Sequence, residues 1–384
     1  MHPRAILSIS NFFAAGHFFL VIYVVAPYLA LSMPIAQAGL VISVGAVITL
    51  AVFPFMSHLV SRFGARHIAL TLACLQAIVL FMLAASPGLV PAIICIAIAC
   101  ALSPLIAYQL DLLLEASTRE ESATGRVRAL FLTTGNIALI LSPLLIGFLL
   151  DGGEEYSRVF LASALALAPF IVLLLFERLP EGEAPKFNAL SMTCLCVWAD
   201  PDLRAAALGN GVLQFFYHLA PLYIPLYLHT ALGIAWSDLG WIFAIMLLPF
   251  VFVEYPAGWI ADRWLGDKEL MIAGFVITGL SFAVLGFITA ATPLYIIAII
   301  LFVTRVGAAL VESMIEGHFF RRVSERDANT ISIFRMTRPF AALIAPVMAS
   351  VILFSSSYLV FFMLTGALIV ALGIITTIAI HDVR

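Results

Sequence analysis

The sequence predicts an all-α polytopic membrane protein, with twelve transmembrane helices in two pseudo-symmetric six-helix bundles. Three observations predict it. The chain of 384 residues is 63% hydrophobic and only 11% charged, with a mean hydropathy of +1.12. A soluble domain cannot bury that fraction of apolar surface. Apolar stretches long enough to cross a hydrocarbon core of about 30 Å, roughly 20 residues each, recur along the whole chain. The second half also repeats the first at a nearly constant offset.

Breaking the chain at charged or Gly/Pro clusters yields candidate spans at about 5–31, 36–57, 67–86, 89–114, 127–150, 157–177, 204–230, 237–260, 269–291, 293–318, 329–353 and 357–380. The first run is too long for the core of a secretion signal and no convincing cleavage site follows it. It is read as a retained first helix. The longest non-apolar gap, "ERLPEGEAPKFNALSMTCLCVWADPDLR", divides the spans into two sets of six. The predicted domains are an amino-terminal bundle (1–180), a cytoplasmic linker (181–203) and a carboxy-terminal bundle (204–384). Within the linker, Phe187 to Trp198 is apolar enough to lie on the membrane surface.

Orientation follows from the basic residues. Arg305, Arg335 and Arg338 fall inside predicted spans. With the amino terminus in the cytoplasm, every remaining Lys and Arg lies on that side except Arg158. That asymmetry places both termini in the cytoplasm, in a plasma or inner membrane.

The repeat offset is about 201 residues. It aligns His17 with His218, Gly39 with Gly240, Asp111 with Glu312 and Glu115 with Glu316. Slightly drifted, it aligns Arg66 with Lys268 and Pro143 with Pro346. Ordered matches at corresponding helices argue for two related bundles.

Composition also excludes classes. The net charge is −3 and there is no polybasic tract, which argues against nucleic acid as a partner. Cys74, Cys95, Cys100, Cys194 and Cys196 have no zinc or redox spacing and read as small apolar filler. No nucleotide-binding loop is present, so no cofactor and no direct ATP drive are expected.

The loop after the eighth span reads "GWIADRWLGDK", Gly258 to Lys268. It resembles the loop signature of the major facilitator superfamily, G-x-L-a-D-R-x-G-R-K, with one extra residue before Gly266. The first-half copy, "SHLVSRFGAR", keeps Arg62, Gly64 and Arg66, but has Ser57 for the glycine and Ser61 for the aspartate. In the fifth span "ALILSPLLIG" is similar to the drug/proton antiporter signature, and "AALIAPVMAS" in the eleventh is a second copy; a packing role explains both. The resemblance implies that the bundles rock about a central cavity lined by helices 1, 4, 7 and 10. It implies a secondary active transporter of a small solute, coupled to protons, monomeric, and not an enzyme. A transporter-shaped scramblase or ligand receptor is the alternative. The leading substrate class is a small organic anion or amphipathic compound.

Charges inside a bilayer cost roughly 2.5–3.5 kcal/mol each on insertion scales, so each needs a partner or a wet cavity. Asp111 and Glu115, like Glu312 and Glu316, are spaced i, i+4 and share a helix face. With Arg62, Arg66, Asp262, Arg263 and Lys268 from the signature loops, they are expected to form a cytoplasmic gate of ion pairs, or else proton sites. Glu254 is expected to pair with Arg335 or Arg338, as a structural tie or as a proton carrier. His17 and His218 lie mid-span in equivalent helices, where they either pack or bind substrate and protons; no third metal ligand is apparent. Arg305 lies near the middle of the tenth span, on the stripe of Glu312 but about 10 Å from it. It either pairs with Glu254 or a backbone carbonyl, or faces the cavity and holds an anion. Its repeat position is Pro104, so it is absent from the shared scaffold. The cavity candidates are His17, Tyr108, Asn136, Gln214, Tyr217, His218 and Arg305.

Overall fold

The computed structural model describes residues 3–118, 124–151, 153–177, 179, 197–263, 266–323 and 328–380, and among these the chain is helical with no strand. In the first half α1 spans Pro3–Ala30, α2 Ile35–Phe63, α3 Ala65–Ala84, α4 Leu89–Thr118, α5 Thr124–Leu149 and α6 Tyr156–Phe176. In the second, α7 spans Pro201–Pro225. The broken helix α8 runs in pieces, Trp236–Leu247, Pro249–Phe252 and Glu254–Arg263. Then come α9 (Asp267–Val284), α10 (Leu294–Arg322), α11 (Ala328–Ser355) and α12 (Tyr358–Ile378).

Ten of these are long and apolar enough to cross a membrane. The exceptions, α7 and α8, have local causes. α7 carries the polar residues Asn210, Gln214 and His218, one turn apart on one stripe. α8 is interrupted near Pro249, which lacks a backbone N–H and cannot continue the hydrogen-bond ladder. Counting both gives the predicted twelve. The apolar segment of the linker before Val197 lies outside the described residues.

α7 begins firmly. The Asp200 carboxylate accepts from the backbone N–H of Asp202 (2.9 Å) and Leu203 (3.1 Å), and Pro201 occupies the first turn, where its missing N–H costs nothing. It ends in a π-turn over Leu226–Ala231, and the chain reverses at Gly233, whose φ of +73° suits glycine.

The halves meet through α1 against α7, α2 against α11, and α5 against α8. A Cβ on Gly39 would lie 2.9 Å from the carbonyl oxygen of Pro346. A Cβ on Gly240 would lie 2.8 Å from the carbonyl oxygen of Pro143. These are the repeat-related pairs of the sequence, Gly39 with Gly240 and Pro143 with Pro346, now seen as one contact built twice. Only glycine lets the two backbones approach so closely. The contacts fall near the start of α2 and α8, at the same end of the molecule.

Candidate functional site

The largest departure from an apolar interior is at Arg305 on α10. It is 4% exposed, and its Nε has no hydrogen-bond partner among the described residues. Its guanidinium lies over two rings of α7, with Cζ 4.9 Å from the centroid of Phe216 and 5.8 Å from that of Tyr217. Tyr23 of α1, from the other half, and Glu312 are also within reach of its charge. Each aromatic face contributes about 0.5–2 kcal/mol to a desolvated cation. A guanidinium has five N–H donors, however, and ring faces satisfy none of them as an oxygen would.

Tyr217 links Arg305 to the acid below it. Its ring carries the guanidinium, and its hydroxyl donates to Glu312 Oε2 at 2.6 Å. Glu316 and Arg338 are the other charged neighbours of Glu312. One side is completed by polar contacts between α7 and α11. Asn210 Nδ2 donates to Thr337 Oγ1 (2.8 Å) and to the Phe334 carbonyl (3.3 Å), and Gln214 Nε2 reaches Asn210 Oδ1 at 3.5 Å. His218 Nδ1 lies 2.7 Å from the Gln214 carbonyl oxygen, which can only accept, so Nδ1 carries the proton and Nε2 is left facing away from its own helix.

The fold therefore gathers Gln214, Tyr217, His218, Arg305 and Glu312, with Arg338 nearby. It does not gather every cavity candidate. His17 is 1% exposed within the first-half core. Its carbonyl accepts from Ser163 Oγ of α6 (2.9 Å), and neither ring nitrogen has a partner among the described residues. Tyr108 packs on Phe53 of α2, with centroids 4.8 Å apart, and sits near Asp111 and Glu115. Asn136 is half-buried on α5.

Several expected ion pairs take other partners. Arg335, one of the two arginines expected near Glu254, forms an ion pair with Asp111, joining α11 to α4 across the two halves. Arg66, expected at the gate acids, donates instead from Nε to the Leu174 carbonyl (2.7 Å) and from Nη2 to that of Leu175 (2.9 Å). Its repeat mate Lys268 donates to the carbonyls of Ile378 (2.8 Å) and Ile380 (3.1 Å). The physical reason is common to both: the last turn of a helix leaves carbonyls unpaired and carries negative partial charge. Arg62 is exposed and lies over its neighbour Phe63, Glu115 is exposed, and Glu316 is half-buried. The side chains of Glu254, Asp262 and Arg263 lie outside the described residues.

Sequence reasoning missed Phe216, Tyr23, Asn210 and Thr337 as parts of the site. It also missed Asp267 at the start of α9, which forms an ion pair with Arg321 and lies 3.8 Å from His318 Nδ1. The i, i+4 run Asn210–Gln214–His218 was a usable signal. Phe216 had none, because a phenylalanine in an apolar helix looks like packing.

The comparisons agree with this architecture. The model of the Major Facilitator Superfamily matches residues 7–223 and 205–384. An MFS-type transporter of Yersinia enterocolitica is 28% identical over 178 residues, covering 45% of this chain and 44% of that protein. The chain thus aligns with less than half the length of that relative. Among solved structures, the nucleoside transporter NupG superposes with a TM-score of 0.78 at 14% identity, covering 99% of both chains. A peptide transporter POT in complex with sulfate superposes at 0.75 and 13% identity, covering 97% of this chain and 93% of that one. Likeness at such identities concerns the fold. The family model, matching in both halves, carries the assignment: the chain belongs to the Major Facilitator Superfamily.

Proposed function

We propose that this protein is a secondary active transporter that moves a small organic anion by alternating access and couples that movement to protons. One observation carries the reading. Arg305 is buried at mid-span, and among the described residues its Nε has no hydrogen-bond partner while the guanidinium lies over the Phe216 and Tyr217 rings. An arginine needed for packing alone would be saturated by carbonyls or a carboxylate, because an unsatisfied buried donor is costly. An anionic group of the solute completes the guanidinium, and its planar fork suits a carboxylate or a phosphate. The flanking Phe216, Tyr217 and Tyr23 favour an amphipathic solute.

Tyr217 is the proposed coupling element. It touches the cation through its ring and the Glu312 carboxylate through its hydroxyl. An anion that neutralises Arg305 changes the charge balance felt by Glu312, which then takes up or releases a proton. The proposal includes both termini in the cytoplasm, by the Arg/Lys asymmetry, and a boundary between bundles within 181–203. It includes monomeric action without catalysis. The Gly39–Pro346 and Gly240–Pro143 contacts then close the outer end, while Asp111–Arg335 spans the inner one.

The test is a thermal-shift screen of the purified protein against a panel of carboxylates and phosphate esters. Flux of any stabilising compound is then measured in proteoliposomes holding a pH-sensitive dye. Stabilisation by an anion, with its movement changing internal pH, is the expected result. Binding without flux in sealed vesicles would overturn transport in favour of a receptor, and movement of labelled lipid alone would favour a scramblase.

A further inference from the structure

His229 lies in the π-turn that ends α7, at the end of the molecule that holds the glycine contacts and far along the chain from Arg305. Its Nδ1 is 2.8 Å from the Ile234 carbonyl oxygen. A carbonyl can only accept, so Nδ1 carries a proton and donates it. In a neutral ring Nε2 is then a bare acceptor. Yet Nε2, buried and without a hydrogen-bond partner among the described residues, lies 3.4 Å from Oε1 of Glu154 in the α5–α6 turn of the other half. Two acceptors facing each other repel. With both nitrogens protonated, the same geometry is an attractive ion pair.

The surroundings fit a joint between the halves. The His229 ring lies 4.8 Å from that of Trp236, at the start of α8. Trp236 Nε1 donates to Tyr156 Oη of α6 at 3.4 Å, a second bond across the halves, and Tyr156 packs edge-on against Tyr28 of α1. The side chain of His229 is 13% exposed and that of Glu154 54%, so the carboxylate opens to solvent beside a buried Nε2. The other charged groups on these elements are Asp151, Glu155 and Arg158 from the α5–α6 segment and Asp238 in the first turn of α8. Glu155 and Arg158 pair with each other at 2.5 Å. The phenols of Tyr28, Tyr156 and Tyr227 are neutral over the pH range that matters.

We infer that His229 and Glu154 form a proton-operated latch between the two halves, attractive when the imidazole is charged and repulsive when it is neutral. Acid on this side holds the seal shut. The latch stands apart from the Arg305 site and does not depend on which solute is carried.

The experiment places spin labels at Ser32 and Thr289, on the first- and second-half loops of this end, after the native cysteines are replaced. Distances are read by pulsed dipolar spectroscopy on the full chain in nanodiscs, at about pH 5.5 and about pH 8. The closed, short-distance population is expected to rise about three- to fivefold relative to the open one on acidification, in keeping with a partly exposed pair. Glu154→Gln removes that response, and His229→Lys, always charged, gives the acid pattern at both pH values. A pH-invariant distribution in the parent protein overturns the latch. So does a Glu154→Gln variant that responds like the parent. Because Glu154 is half-exposed, that variant tests the idea even where His229→Lys fails to fold.

Discussion

The seal and the Arg305 site are built by opposite rules. The seal is made twice: Gly39 against Pro346, and Gly240 against Pro143, with nearly equal approach distances. The helix-end clamps are also made twice, by Arg66 and by Lys268. The Arg305 group is made once. At the repeat offset Arg305 falls on Pro104, and the aromatic pair Phe216–Tyr217 falls on Ala15–Gly16. The close helix contacts are thus shared by both halves, while the buried guanidinium and the ring pair beneath it belong to the second half. The difference is physical. A rocking motion needs equivalent bearing surfaces on each side, whereas a buried guanidinium is expensive and one suffices.

Experiments can break that comparison or sharpen it. The largest effect is expected at Arg305. Arg305→Ala should lower anion binding and flux by roughly 30-fold or more, since truncating one partner of a buried charge pair costs about 2–5 kcal/mol. Arg305→Lys should recover only part of this, because it keeps the charge and loses the fork. Binding by calorimetry, beside vesicle flux, reads both; a fully active Arg305→Ala places the site elsewhere.

Next comes Tyr217→Phe. It keeps the ring under Arg305 and deletes the hydroxyl that donates to Glu312, a hydrogen bond to a charged group worth about 1.5–3 kcal/mol. Proton-coupled flux should fall about tenfold or more while anion binding changes little. Equal losses in both would deny Tyr217 its separate role.

The seal should behave symmetrically. Gly39→Val and Gly240→Val each force side-chain atoms onto a proline carbonyl, with an overpacking cost of about 1–3 kcal/mol. Both should lower the melting temperature by similar amounts and widen the outer end in spin-label distances. Gly16→Ala is the control, since its added Cβ meets only Ala138 at 4.0 Å. If one of the two valine variants were silent, the double seal would reduce to a single contact.

The smallest effect is expected from Arg66→Ala and Lys268→Ala, each removing a cation from a helix end for about 0.3–1 kcal/mol. Loss of flux without loss of stability in either variant would return these residues to the gate.

Much of this was legible along the chain. Helix number, the two-half organisation and the importance of Gly39, Gly240, Pro143 and Pro346 follow from apolar lengths and ordered repeats. Arg305 stands out because it has no twin. Arg335 shows where such reasoning stops. Its depth in the membrane made it, with Arg338, a candidate partner of Glu254, but depth says nothing about azimuth, and the helix faces bring it against Asp111. Arg66 and Lys268 show the same limit. Their charge suggested carboxylates, while the nearest electronegative groups are backbone carbonyls, which every sequence contains and none advertises.

The sequence by itself determined a twelve-helix membrane protein with a repeated frame and, inside the spans, arginines that the first half does not repeat, because hydrophobic length and period are properties of the chain alone. Only the tertiary structure decided which groups meet: Arg305 on Phe216 and Tyr217, Tyr217 on Glu312, Arg335 on Asp111, His229 on Glu154. Each pairing depends on helix rotation and crossing, which are set by packing among residues distant in sequence and are invisible to any local pattern.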